Sequence, residues 1–209
     1  MEVTLTQNQD TWLEARKYRF TASEIHKLMS SSRSGGGLSQ TAESYVYEKA
    51  SEILTGISKP IYGDALEWGK SYEKEAFEKF RMTTFEKFEY YGGENYLFIP
   101  YGEYSGCSPD GLSENAVLEI KAPYNSSIHL KNLTIHDADS LKQIHKDYYY
   151  QTQMCMLATG LDKAYFVSYD PRMPLDKQLH IAEIERHDLE YEFNERLELA
   201  NELMQKILK

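Results

Sequence analysis

The stretch SPDGLSENAVLEIK, residues 108–121, decides how this chain reads. Asp110 stands in a Pro-Asp-Gly turn, and nine residues later Glu119 and Lys121 flank Ile120 in the run AVLEIK. Residues two apart on a strand point to the same side. Glu119 and Lys121 are therefore expected to share a face with Val117. Leu118, Ile120 and Ala122 are expected on the opposite face, the apolar one toward the core. A turn just before the strand can bring Asp110 beside Glu119. Two close carboxylates raise each other's pKa unless a cation lies between them. Hard oxygen donors suit Mg2+, which keeps several waters. Lys121 would then stand beside the ion, where it can stabilise charge developing on a phosphate. The pattern by itself also suits a surface hairpin with ordinary salt bridges, so the rest of the chain must discriminate.

The chain has 209 residues, which fits one domain over residues 1–209 with room for a sizeable core. With 41% hydrophobic and 27% charged residues the composition is that of a soluble globular protein. No apolar run is long enough to span a membrane and no signal-peptide pattern opens the chain, so the expected location is cytoplasmic. Cys107 and Cys155 form no framework and read as reduced residues. None of the six histidines forms an HxxxH or HxH pair, which disfavours zinc. The net charge of −10 argues against a non-specific nucleic-acid coat. Its distribution is uneven: Arg16, Lys17, Arg19, Lys27 and Arg33 face Glu24 alone between residues 16 and 33. An enzyme that cradles DNA in one local channel can be acidic elsewhere.

Residues 1–10 read as a loose lead-in, followed by a short helix over 12–16. Thr21-Ala22-Ser23-Glu24 fits a capping box that starts a helix to about residue 29. SSSRSGGG, residues 30–37, is a loop by composition and carries Arg33. A helix over 41–54 is closed by Gly56. Another starts near residue 64 and runs to about 80, with Ala65, Trp68, Tyr72, Ala76 and Phe80 at core-facing helical spacing. Leu66, Lys70, Glu73 and Phe77 fall on an adjacent face, where an exposed leucine does not suit a plain solvated ion pair. Strands are expected over 84–91, 96–99, 104–107 and 116–121, with Gly92-Gly93 as a hairpin turn. Residues 125–140 read as polar and irregular. A helix over 141–159 ends at Gly160, and strands over 164–169 and 179–185 flank the turn Asp170-Pro171-Arg172-Met173-Pro174. Leu189, Phe193, Leu197, Ala200, Met204 and Ile207 mark a last amphipathic helix. The expected fold class is α+β, with a central mixed β-sheet flanked by helices.

The stretch around Asp110 has the form of the PD-(D/E)XK nuclease motif. Four stretches then line up in order: WLEARKYRFTASEIHKLM (12–29), ALEWGKSYEKEA (65–76), CSPDGL…LEIKAP (107–123) and YYQTQMCMLATGLDKAYFVSYDPRM (149–173). Together they resemble the phage lambda exonuclease family, also called YqaJ-like viral recombinases, from Trp12 to the C-terminal helix. The resemblance implies a restriction-endonuclease-like core and a metal-dependent exonuclease that degrades one strand of linear duplex DNA from a 5′-phosphorylated end. It implies two Mg2+ ions per site, with Mn2+ able to substitute. It also implies a ring-shaped homotrimer, a single-strand annealing protein as partner in recombination, and a phage or prophage origin.

Carried over residue by residue, Asp110 and Glu119 match the metal-binding carboxylates, with the Ile120 carbonyl as a further ligand and Lys121 as the catalytic lysine. Glu73 matches the helical glutamate that completes the metal site, and Gln151 the glutamine beside the attacking water. Arg16, Ser23 and Ser108 match the 5′-phosphate pocket. Arg33 matches a DNA-contacting arginine, and Leu66 the apolar wedge where the strands part. Two departures stand out: the Asp110–Glu119 separation is one residue shorter than in the lambda protein, and the connection from Lys121 to Gln151 is several residues longer. From the residues alone, phosphodiester hydrolysis with two metals about 3.5–4 Å apart needs the carboxylates that Glu73, Asp110 and Glu119 supply. A restriction- or repair-type endonuclease would use the same motif, and an inactive DNA-end-binding scaffold the same fold. The Arg16 and Ser23 pocket favours the exonuclease, and the presence of all the chemical residues disfavours the scaffold.

Overall fold

The computed structural model describes residues 4–6, 8–30, 36–58 and 63–209. Strand β1 (Thr4–Thr6) lies within the expected lead-in, followed by helix α1 (Gln9–Arg16), strand β2 (Phe20–Thr21) and a 3-10 turn over Ala22–Lys27. Helices α2 (Gln40–Thr55) and α3 (Asp64–Thr83) come next, then strands β3 (Glu89–Tyr90), β4 (Tyr96–Tyr101), β5 (Ser105–Cys107), β6 (Gly111–Leu112) and β7 (Val117–Lys121). Helices α4 (Ser126–Asn132), α5 (Ala138–Ile144) and α6 (Lys146–Thr159), strands β8 (Lys163–Tyr169) and β9 (Leu179–Glu185) and helix α7 (Glu190–Leu208) complete the chain order.

A five-stranded mixed sheet runs β3-β6-β7-β8-β9, and a smaller one runs β1-β4-β5-β2. Only β7 and β8 pair in parallel within the larger sheet, with Glu119 beside Phe166 and Lys121 beside Ser168. Parallel neighbours need a long crossover, and α4, α5 and α6 provide it. Both faces of the larger sheet are covered. Val117, Ala164 and Phe166 pack with α6, the 3-10 turn, α2 and α7 in the main core. Leu118, Ile120, Val167 and Tyr169 pack with Ala76, Phe77 and Phe80 of α3 in a second core. The face of β7 that carries Glu119 is thus as buried as the apolar one, because α6 lies on it.

Several expectations change. The capping box does not form: the Thr21 side chain makes no cap hydrogen bond, and Glu24 pairs with Lys27 at 2.5 Å. The expected strand over 84–91 shrinks to two residues. Gly92-Gly93 is no hairpin turn, since β3 pairs with β6 while β4 pairs with β5 and β1 in the other sheet. The irregular segment over 125–140 contains α4 and the start of α5, the latter opened by an Asp137–Ser140 capping box. The expected helix over 141–159 breaks at His145 (φ −138°, ψ 86°) into α5 and α6. On α3 the buried side chains begin only at Ala76, so Ala65 is exposed and Trp68 and Tyr72 are half-buried. Phe77, placed on the adjacent face, is buried.

Candidate active site

At its C-terminal end β7 carries Glu119 and Lys121 on one face, as period two requires. Glu119 is 1% exposed. Its Oε1 lies 2.6 Å from Lys121 Nζ and accepts a 2.6 Å hydrogen bond from Gln151 Nε2 on α6. Lys121 Nζ also donates to Gln151 Oε1 at 3.2 Å, which closes a triangle and fixes which way the Gln151 amide faces. The Lys121 ammonium sits 4.8 Å from the centre of the Tyr148 ring, one helical turn before Gln151. Burial alone would lower the Lys121 pKa, but attraction to Glu119 and then Asp110 outweighs it, and the net direction is up.

Asp110 is pinned by its backbone: its N–H donates to Leu118 O at 3.1 Å and its carbonyl accepts from Tyr91 N–H at 2.9 Å. Its Oδ2 accepts a 2.6 Å hydrogen bond from the Ile120 N–H. The Pro-Asp-Gly turn therefore delivers the carboxylate to the strand as expected. Burial, then the charges of Glu119 and Glu73, push the Asp110 pKa well above the usual carboxylate range. Glu73, on α3, is raised mainly by burial, although Tyr90 OH donates to its Oε1 at 2.8 Å. A Cβ on Gly92 would run into both Tyr90 OH and Glu73 Oε1, so this glycine makes room for that pair.

Among the described residues no three His, Cys, Asp or Glu side chains are gathered closely enough to hold a metal ion by themselves. The donor chemistry nevertheless fits a hard divalent cation. The charge of Glu119 works against ionisation of both Glu73 and Asp110, Glu73 does the same to Asp110, and Glu119 Oε2 is buried without a hydrogen-bond partner among the described residues. Oxygen donors with uncompensated negative charge are what Mg2+ or Mn2+ takes. Asp110 and Glu119, either side of the Ile120 N–H, are the carboxylates that would hold it, and Glu73 and Ile120 line the adjoining cleft.

Between the ordinary carboxylate pKa and the raised value of Asp110, the folded state holds more protons than the unfolded one. Stability of the metal-free protein therefore falls as pH rises through that window. Asp110→Asn keeps an acceptor for the Ile120 N–H and removes the charge. It is expected to raise the metal-free melting temperature at pH 8 on the order of a few degrees, and to abolish cleavage. Calorimetry in EDTA checks this, and a lower melting temperature would contradict it.

The cleft beside these groups measures about 530 Å³ and is lined by Leu66, Lys70, Glu73, Lys121, Tyr124 and Tyr148 among others. Leu66 is half-buried in its wall, not fully exposed. Ser108 Oγ accepts from Arg16 Nη1 at 2.9 Å and from Trp12 Nε1 at 2.8 Å. The Arg16 guanidinium lies 4.4 Å from the Trp12 ring, and burial lowers its pKa from a starting value high enough to leave it charged. Ser23 is exposed and bonds to Thr21 Oγ1 at 3.2 Å. The structure thus joins Arg16 to Ser108 but records no bond from Ser23 to either. Arg33 lies outside the described residues. Tyr148, Tyr90 and Trp12 were missed in the sequence. Tyr148 and Trp12 were findable, being one helical turn from Gln151 and Arg16, whereas nothing near Tyr90 points to Glu73.

A sequence model described as the YqaJ-like viral recombinase domain matches residues 11–162. No curated protein matches the chain. Among solved structures, an alkaline exonuclease (LHK-Exo) from Laribacter hongkongensis is similar at 28% identity and a TM-score of 0.76, over 95% of this chain and 94% of that one. The same enzyme in complex with dAMP gives 29% identity and a TM-score of 0.77 over the same shares. A phage-related exonuclease from Haemophilus somnus 129PT shares the fold at a TM-score of 0.75 and 17% identity, over 91% of this chain and 95% of that one.

Proposed function

Because the chain belongs to the YqaJ-like viral recombinase family, we propose that it is a metal-dependent exonuclease that degrades one strand of linear double-stranded DNA from its 5′-phosphorylated end. The observation that carries this reading is the Glu119–Lys121–Gln151 triangle, whose Lys121 lines the cleft, with Asp110 bonded to the backbone between its first two members. The likeness to an alkaline exonuclease along nearly the whole length of both chains supports it. Mg2+ is the proposed metal, two ions per site, with Mn2+ as a substitute, held by Asp110, Glu119, Glu73 and the Ile120 carbonyl. When bound, such ions supply water activation and charge neutralisation. Lys121 points its ammonium at charge developing on the phosphate. The Gln151 amide, fixed by its two partners, orients the attacking water, and Tyr148 shields the ammonium from bulk solvent. Leu66 parts the strands at the cleft wall. The proposal extends to a ring-shaped homotrimer, to a single-strand annealing protein as partner in phage-type recombination, and to the cytoplasm of a bacterial host. Among the described residues, no helix is long and apolar enough to cross a membrane.

The test is linear duplex DNA labelled at one end, with Mg2+, with Ca2+ and with excess EDTA. Stepwise loss of the 5′-labelled strand with Mg2+ alone is expected. Activity in EDTA, or cutting of closed circular DNA, would overturn the reading.

Arg16 gives the polarity prediction. A planar guanidinium can grip a terminal phosphate with two hydrogen bonds, and Ser108 holds it two residues from Asp110. A charge-assisted contact of about 1.5–3 kcal/mol corresponds to a preference of roughly 10- to 150-fold. Wild-type protein is expected to favour 5′-phosphate over 5′-hydroxyl ends by about that factor. Arg16→Ala should lose most of the preference while Mn2+ binding is kept. Equal rates on both ends in the wild-type protein would remove Arg16 from this role.

A further inference from the structure

The turn Asp170-Pro171-Arg172 after β8 has no part in the site described so far, yet its contacts reach both walls of the cleft. Asp170 is fully buried. Arg172 grips it with two side-chain bonds, Nε to Oδ1 and Nη2 to Oδ2, each 2.8 Å, and with its own N–H at 3.0 Å. Arg172 Nη2 also donates to Tyr124 O at 2.9 Å and Pro123 O at 3.2 Å, just beyond the strand end that carries Lys121. The guanidinium carbon of Arg172 lies over the Trp68 ring, 4.1 Å from its centroid, and the Tyr124 ring meets Trp68 edge-on at 5.9 Å. Trp68 sits on α3 between Leu66 and Glu73. The buried side chains of α3 begin only at Ala76, so the half bearing Leu66 and Glu73 is held to the body by partly buried groups, this stack and the Tyr90–Glu73 bond among them.

We propose that Arg172 is a positioning residue that clamps the α3 wall of the cleft, with Leu66 and Glu73, to the β7 wall, with Lys121. A lysine cannot make the same clamp, because the in-plane fork and the stacking face are used together. Burial would raise the Asp170 pKa, but the hydrogen bonds from Arg172 foremost hold it down to about 2. Arg172→Ala would leave that buried charge unpaired, so Arg172→Lys and, from the other side of the stack, Trp68→Leu are the informative variants.

The proposal rests on the exonuclease reading for its kinetic arm. Well below the melting temperature, each variant is expected to lose about tenfold or more in single-turnover cleavage, since small displacements of reacting groups are costly. Duplex affinity in Ca2+ should change less than about threefold, because binding is spread over many backbone contacts. The double variant should be no worse than the worse single one, and Trp68→Phe, which keeps a ring under the guanidinium, should restore most of the rate. Additive losses, a wild-type rate in Arg172→Lys, or a loss shared equally with affinity would overturn it. Iodide quenching of Trp68 fluorescence in a Trp12→Phe background reads the clamp without activity, and Arg172→Lys should raise it. If the wild-type protein cleaves no linear DNA the exonuclease reading falls, and the quenching alone decides the clamp: unchanged quenching overturns it.

Discussion

Lys121→Ala is expected to slow cleavage about a hundredfold or more while leaving Mn2+ and duplex binding largely in place. The ammonium sits 2.6 Å from Glu119 Oε1 and 3.2 Å from Gln151 Oε1 and lines the cleft, so its free side faces the place where a phosphate would lie. Charged, it cannot ligate a metal, and its value is greatest when the phosphate gains charge in the transition state. Removing one such preorganised group costs about 3 kcal/mol or more, roughly a hundredfold in rate. The variant also leaves Glu119 buried without its cation, which lowers the metal-free melting temperature. Mn2+ should restore much of that loss, because the freed carboxylate oxygen becomes available to the ion. Lys121→Met keeps the aliphatic stem against Tyr148 and separates lost charge from lost packing: both variants should be equally slow. Single-turnover rates near wild type in either one would sink the assignment.

Strand β7 was legible because its logic is local. Period two placed Glu119 and Lys121 together, and a turn residue placed Asp110 beside them, so AVLEIK and PDG carried their own geometry. What failed depended on partners that the local pattern does not name. The Glu119 face of β7 is buried because α6, thirty residues away, lies on it, and α6 itself is buried along most of its length, so its periodicity is faint. The break at His145 carries no proline or glycine to mark it. The Gly92-Gly93 pair looked like a hairpin signal, while Gly92 in fact clears space for Tyr90 and Glu73. The core-facing stripe read on α3 fails at its first turns for the same reason: nothing in DALEWGKSYE says that the body ends near Ala76. Glu73, Gln151 and Ser108 were named through the family resemblance, and the structure places Glu73 and Gln151 about Lys121 and Ser108 on Arg16; Ser23, named in the same way, bonds instead to Thr21.

Glu119→Gln is expected to have the larger effect of the two, because Glu119 is the hub. One oxygen, Oε1, receives both Lys121 and Gln151, and the other, Oε2, is buried with no partner among the described residues. A glutamine can keep its oxygen at the Oε1 position and preserve both bonds. Its amide nitrogen then occupies the Oε2 position as a donor, where a metal would need an acceptor. The shape is retained and the charge is lost. Lys121 loses the strongest attraction that holds its pKa up, so burial takes over and its pKa falls. Asp110 loses the largest charge that pushes its pKa up, so its carboxyl moves back toward the ordinary range. The first change weakens the site by making the lysine easier to neutralise; the second leaves Asp110 more readily ionised, so the weaker metal binding comes from the missing Glu119 charge itself. Cleavage should fall about a thousandfold or more, in keeping with the loss of both a metal ligand and a charge-stabilising group, and Mn2+ binding followed by calorimetry should weaken in parallel. Folding should survive, because no hydrogen bond of Oε1 is lost. Glu119→Asp, which restores the charge with a shorter reach, should recover Mn2+ binding in part and cleavage much less, since the bonds to Lys121 and Gln151 would be stretched. Mn2+ affinity at the wild-type level in Glu119→Gln, with cleavage within tenfold, would place the metal site elsewhere in the protein.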